Sequence, residues 1–303
     1  MKSPIQYYTL FLAAFLTIAI FMGSSRESSS DAPAQPEGSI PQIIKAVDLN
    51  QPFEFAGESL PMDDFDTRER LDLELMKNTY WHSNTILFLK KANKYFPTIE
   101  RILKEHGIPE DFKYVAVAES SLQNAVSPAG ARGFWQLMAP TAREYGLEIS
   151  NDVDERYHLE KSTVAACKLI KSYYKRFNNW TLTAAAYNIG VNKLDRLLEE
   201  QHASSFFDLN LNQETNRYIF RLVAIKAILS DPNDFGFYLD EADMYQPLPA
   251  YRTVEVSTDV ENWGAFAAEQ GTSYRMLKVY NPWLIDSDLK NSRGKTYEIR
   301  IPK

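Results

Sequence analysis

The sequence predicts a mainly α protein that closes with a small β-α-α-β unit. Three observations carry this reading. Apolar residues recur at helical spacing in one segment after another across 84–231, with Gly and Pro between them. The text changes character after Pro247, where two alternating segments, "YRTVEVS" and "TYEIRIP", bracket two short helical ones. The chain has 303 residues, 45% of them hydrophobic, enough for a sizeable core shared among one to three domains.

The elements follow in order. Lys2 precedes an uncharged, mostly apolar run over 7–23. As a helix this run spans roughly 26 Å, against a hydrocarbon core of about 30 Å. A secretory signal has the same build, so residues 1–23 are either a cleaved signal peptide or an uncleaved membrane anchor. Both readings carry the remainder out of the cytoplasm, with Lys2 kept inside. Residues 24–42 are rich in Ser, Pro and Glu and read as a disordered linker. Residues 43–83 form a mixed, acidic N-terminal extension with a helix near 66–77.

The helical domain is placed at 84–231. "FPTIERILKEHGIPEDF" puts Pro97 at a first helical position, with Ile99, Ile102 and Leu103 on one face; Gly107 stops that helix and Pro109 starts the next. "EDFKYVAVAESSL" is a short helix with Val115, Ala118 and Leu122 along one side and Glu119 adjoining them. "SPAGARG" is a loop, and "FWQLMAPTAREYG" resumes as helix, broken near Pro140. "YHLEKSTVAACKLIKSYYKRF" is a long amphipathic helix. "WTLTAAAYNIGVNKLDRLLEE" is two helices parted at Gly190, and "NQETNRYIFRLVAIKAILSDP" is a buried helix ending before Pro232. A linker at 232–247 leads to the β-α-α-β unit at 248–303.

Composition removes several function classes. The net charge is −7 and no Lys/Arg block stands out, so no nucleic-acid partner is expected. The acidic balance also weighs against binding anionic lipid by charge. Cys167 is the single cysteine and reads as a small buried apolar residue, compatible with an oxidising compartment. His82, His106, His158 and His202 are scattered without metal-ligand spacing; no metal and no cofactor is expected. A monomer is the default.

The chemistry centres on Glu119. A carboxyl among Val115, Ala116, Ala118 and Trp135 is partly desolvated, which raises its pKa and suits a general acid. The small residues of 127–133 allow close approach of a ligand. Gln136 and Asn188 can hydrogen-bond a neutral ligand rich in hydroxyls and amides, and Trp135 and Tyr187 offer aromatic faces to sugar rings. Taken alone, these residues leave a plainer reading open: a surface Glu that is solvated or ion-paired, and a "TAAAYNIG" segment that serves tight helix packing.

Three ordered blocks add a resemblance. Glu119-Ser120, Ser127-Pro128-Ala129-Gly130-Ala131-x-Gly133, Gln136-x-Met138 and Thr141-Ala142 resemble the signature of the SLT-type lytic transglycosylases. Ala185-Ala186-Tyr187-Asn188-x-Gly190 resembles their second signature. Glu214-Thr215 and Tyr218 look like a third feature, that of the membrane-bound lytic murein transglycosylase D group. The chain departs from the pattern at Ala139, where Pro is usual, and at Phe134-Trp135, where Leu-Met is commoner. The resemblance implies a lysozyme-like α fold, peptidoglycan glycan strands as partner, and cleavage of the MurNAc-β-1,4-GlcNAc bond in the bacterial envelope. Glu119 is then general acid and afterwards base, and the product ends in 1,6-anhydro-MurNAc. The substrate-binding set carried over is Ser120, Ser127, Gln136, Met138, Tyr187, Asn188 and Tyr218. Within it, Ser127 and Gln136 contact polar groups of the sugar, Met138 lines the cleft, Tyr187 bonds Glu119 or the sugar, and Asn188 holds the local backbone. No metal or organic cofactor is implied.

The C-terminal unit resembles a divergent LysM module at Ala267-Ala268, Gly271-Thr272-Ser273, Leu277, Asn281-Pro282, Lys295 and Ile301-Pro302. Thr258-Asp259-Val260 stands where Gly-Asp-Thr/Ser-Leu is usual. N-acetylglucosamine binding and a stabilising appendage both stay open. Two other functions compete. A goose-type hydrolytic lysozyme needs a second carboxylate, for which Asp154 and Glu155 are the candidates. A non-catalytic scaffold would tether membrane to wall through the anchor, the linker and the LysM-like end.

Overall fold

A computed structural model of the chain describes residues 46–303. The signal-or-anchor run and the linker that follows it lie outside the described residues. Among the described residues, no helix is long and apolar enough to cross a membrane.

A two-residue hairpin opens the described chain, with β1 (Glu54–Phe55) antiparallel to β2 (Glu58–Ser59). Helix α1 (Phe65–Tyr80) starts where the Asp64 side chain accepts from the Thr67 amide. Leu71 and Leu75 of α1 are fully buried in the main hydrophobic core, so the N-terminal extension shares that core with the helices after it. Glu74, on the same face, is buried and takes the guanidinium of Arg217 and, at 3.7 Å, that of Arg221.

Helix α2 (His82–Glu105) is continuous, which corrects the expected start at Pro97. The buried positions Thr85, Phe88, Leu89 and Ala92 keep helical spacing up to the proline, and Ile99, Ile102 and Leu103 continue it beyond. That stripe outweighs the one backbone bond Pro97 cannot make. Then come α3 (Lys113–Ser120), α4 (Ala139–Glu144), α5 (Leu159–Phe177), α6 (Trp180–Ile189), α7 (Val191–Glu200) and α8 (Gln213–Ser230). Gly190 parts α6 from α7 at φ +87°, and α8 ends before Pro232, both as expected. Pro140 sits in the first turn of α4 rather than breaking a longer helix. Gly133 and Gln136 both adopt positive φ, and a β-bridge joins Arg132 to Leu137, so 133–137 is a tight turn that cannot be helical.

Past two 3-10 turns, the C-terminal unit runs β3 (Tyr251–Val256), α9 (Trp263–Glu269), α10 (Tyr274–Tyr280), β4 (Tyr297–Pro302). The strands pair antiparallel, from Tyr251 opposite Pro302 to Val256 opposite Tyr297. Tyr297, Ile299 and Ile301 alternate inward. Their cluster takes in Trp263, Leu277, Trp283 and Leu284, together with Val153 from the helical part of the chain. The molecule is mainly α with a C-terminal β-α-α-β unit, as predicted.

Candidate active site

Glu119 lies in the last turn of α3, which packs on α8. The helix ends because Ser121 and Leu122 both turn to positive φ, which folds Leu122 into the core and releases the chain into the loop at 124–138. Glu119 is half-buried. Its Oε1 accepts a 2.7 Å hydrogen bond from the hydroxyl of Tyr218 on α8. Burial pushes the Glu119 carboxyl above its ordinary value. The Tyr218 bond and the more distant Arg221 pull it back, and Glu214 adds a further upward push. Glu214, Tyr218 and Arg221 stand at i, i+4 and i+7 and so share one face of α8. Burial dominates, so the neutral acid is favoured more than in a solvated carboxyl.

Tyr187, near the end of α6, spends its proton elsewhere. Its hydroxyl donates at 2.6 Å to the carbonyl of Trp135, while burial and then the field of Glu119 hold its pKa well above the ordinary value. Tyr218, and not Tyr187, is therefore the donor to Glu119. Asn188 is engaged by a side chain of the buried helix α8. Its Oδ1 accepts from the Thr215 hydroxyl at 2.9 Å, and the Thr215 amide is capped by Asn212, so the end of α6 is tied to the start of α8.

The loop is held by its own polar groups. The Ser127 hydroxyl accepts from the Ala131 amide at 3.0 Å, and the Gln136 side-chain nitrogen donates to the carbonyls of Ala125 (3.1 Å) and Gly133 (2.8 Å). The Ser127 proton and the Gln136 oxygen are the ends these bonds leave over. Met138 is 43% exposed. Two expectations need correcting. Ser120 is only 4% exposed and its hydroxyl donates back to the Ala116 carbonyl, so it faces the core and not a ligand. Trp135 is fully buried with its indole donating to Thr163, so it offers no face to a sugar.

The two acids weighed as a second carboxylate are both engaged. Asp154 is fully buried and paired with Arg156 and Arg132. Glu155 is buried, paired with Lys161, and accepts from the Glu148 amide. Glu214 is the acid whose field reaches Glu119, and it is exposed. It stood in the third motif without a role; its spacing of four to Tyr218 was the signal that could have given it one. Arg156 was missed altogether. Its partner Asp154 stands two residues away in "VDERYHL", but the loop carbonyls of Gly130 and Leu137 that give the pair its place in the site are far away in sequence and leave no local mark. Among the described residues, no group of His, Cys, Asp and Glu could hold a metal ion.

Comparison with known proteins finds lytic transglycosylases. The membrane-bound lytic murein transglycosylase D of Escherichia coli (strain K12) is 30% identical over 258 residues, covering 82% of this chain and 55% of that protein. A membrane-bound lytic murein transglycosylase F of Saccharophagus degradans is 32% identical over 135 residues, covering 39% of this chain and 26% of that one. Among solved structures, an inactive mutant of the lytic transglycosylase Slt from Pseudomonas aeruginosa matches 50% of this chain and 26% of its own at 20% identity, with a TM-score of 0.39. The chain spans about half the length of the transglycosylase D relatives it matches. Residues 96–210 match the transglycosylase SLT domain, and residues 252–303 the C-terminal LysM-like domain of soluble lytic transglycosylase. Over those two stretches the chain belongs to the transglycosylase SLT domain family and to the LysM-like C-terminal domain family that accompanies it.

Proposed function

We propose that the protein is a peptidoglycan lytic transglycosylase that cleaves the MurNAc-β-1,4-GlcNAc bond with Glu119 as its acid and base. One observation carries this reading: a half-buried carboxyl, raised by burial and oriented by a single tyrosine, beside a loop of small residues. Glycosidases of the usual design need two carboxylates. One suffices when the nucleophile belongs to the substrate. Protonated Glu119 gives its proton to the glycosidic oxygen, which leaves as the 4-hydroxyl of GlcNAc. The C6 hydroxyl of MurNAc attacks C1 and loses its proton to the Glu119 carboxylate. The sugar closes as 1,6-anhydro-MurNAc, no water is consumed, and Glu119 is reset. The tethered hydroxyl acts at high effective concentration, which replaces a positioned water. Ser127, Gln136 and Met138 hold the glycan. The N-terminal segment delivers the enzyme to the envelope, by anchor or by export.

Hydrolysis in the goose-lysozyme manner has one observation on its side, the nearness of Glu214, a carboxylate able to activate water. Mass spectrometry of digested peptidoglycan separates the two. Anhydro ends, one water lighter than reducing ends and absent with Glu119→Gln, are the expected result. Reducing ends that vanish with Glu214→Gln would establish the hydrolase, and turnover retained in Glu119→Gln would remove both.

A further inference from the structure

The loop that carries Ser127 and Gln136 is gripped from behind by Arg156. Its Nη1 donates to the carbonyls of Gly130 (3.1 Å) and Leu137 (3.2 Å). Its own backbone carbonyl lies so close to Gly133 that a Cβ there would stand 1.9 Å from it. Arg156 is in turn fixed by Asp154, which accepts from Nε at 2.9 Å and from Nη2 at 2.7 Å, and which also takes Arg132 of the loop at 3.3 Å. This pair is almost wholly removed from solvent. A dry, fully bonded ion pair holds its partners in one geometry.

Asp154 itself is held by the C-terminal unit. Its amide donates to the Trp283 carbonyl at 2.9 Å, and the Ile285 amide donates to the Asp152 carbonyl at 2.9 Å. Val153 pairs with Leu284 as a β-bridge, is 1% exposed, and belongs to the hydrophobic core of that unit. The Lys290 amide donates to the Asp152 carboxylate at 3.0 Å, Lys295 and Tyr297 close on Glu148, and Arg300 closes on Glu160 at 2.6 Å. An unbroken series of hydrogen bonds thus leads from Trp283 and Ile285 through 152–154 and Arg156 to Gly130 and Leu137. From the loop it continues through the Trp135 carbonyl to Tyr187, whose hydroxyl feels Glu119.

We propose that the C-terminal β-α-α-β unit is a positioning element of the active site, setting the 127–137 loop through Asp154 and Arg156. Arg156 is a positioning residue, with no part in the chemistry. The inference rests on the transglycosylase reading for what the loop binds. It differs from a glycan-holding appendage, which would serve long strands and leave the chemistry of short ones alone.

The test uses the full chain in three forms: unaltered, Arg156→Lys, and the seam variant Glu148→Ala/Asp152→Ala. Each is given whole peptidoglycan and a short soluble glycan of one or two disaccharide repeats, and amide hydrogen exchange is followed across 125–137. Positioning predicts that both variants lose kcat/KM on the short glycan by roughly tenfold or more. The pH at which activity falls stays in place, because Tyr218, Glu214 and Arg221 are untouched. Amides of the loop exchange faster, while those of α8 do not. Folded variants with unaltered kinetics on the short glycan and unaltered exchange would overturn the proposal; so would a loss confined to whole peptidoglycan. If the unaltered chain cleaves neither substrate, the transglycosylase reading fails, and the exchange data alone decide whether the unit positions the loop. Should the double variant unfold, Asp152→Ala alone, which removes the Lys290 bond, is read by the same criteria.

Discussion

At the scale of single residues, the site turns on how one proton is shared. The Tyr218 hydroxyl donates to Glu119 and favours the charged carboxylate, while burial favours the neutral acid. Tyr218→Phe removes the opposing influence, so Glu119 holds its proton to higher pH. The expected pH–rate profile keeps activity further into alkali, at a lower maximum because the carboxyl is no longer oriented; a profile moved toward acid would contradict this balance. The raised pKa also has a cost to stability. A carboxyl that binds its proton more tightly when folded costs nothing below its unfolded pKa, and the full cost appears once pH exceeds the folded pKa. Glu119→Gln is therefore expected to stabilise the fold at neutral pH by roughly 0.5–2 kcal/mol, with the gain vanishing in acid, as thermal melts across pH would record. Glu119 was legible in the sequence because an acid amid small apolar residues is conspicuous. Ser120 was misread because one step along a helix turns the side chain by about 100°, from the cleft into the core. The partner of Glu119 could not be settled either, since Tyr187 and Tyr218 lie on different helices and only packing shows which hydroxyl is already committed.

At the scale of elements, glycine positions separate conformational strain from collision. Gly130 and Gly133 both hold positive φ, but only Gly133 faces a neighbour that a Cβ would strike. Gly130→Ala is expected to cost about 1 kcal/mol from backbone strain alone. Gly133→Ala adds a clash with the Arg156 backbone and is expected to cost roughly 2–4 kcal/mol, with activity lost as the loop shifts. Denaturant titration of the two variants checks the order; equal costs would mean that the loop yields freely. The sequence supported the helices through periodicity and missed where periodicity is overruled. The α2 stripe runs through Pro97, and the 133–137 turn interrupts an apolar text that reads as helix. In both places long-range packing outweighs the local signal.

At the scale of the whole molecule, acid should loosen the contact between the C-terminal unit and α5. Burial alone would raise the Glu160 carboxyl, but His158 and Arg300 outweigh it and lower it to about 2. A depressed carboxyl contributes stability that is full above its unfolded pKa and fades as pH falls toward the folded value. Calorimetry from pH 5 down to about 2 is expected to show a falling melting temperature, with a shallower fall in Arg300→Ala. Equal slopes would remove Glu160 from that role. The β-α-α-β character of the C-terminal unit was legible in the sequence, because alternation and short helical segments are local signals. Nothing in the sequence hinted that Val153, nearly a hundred residues before the unit begins, completes its core, since a single valine in a loop carries no pattern. That shared valine bears on protein engineering. A chimera cut at residue 248 would transplant Trp283 and Leu284 but leave behind the side chain they close upon, opening a void in the graft and exposing apolar surface on the donor. The transplantable piece is discontinuous, and 148–161 has to travel with 248–303.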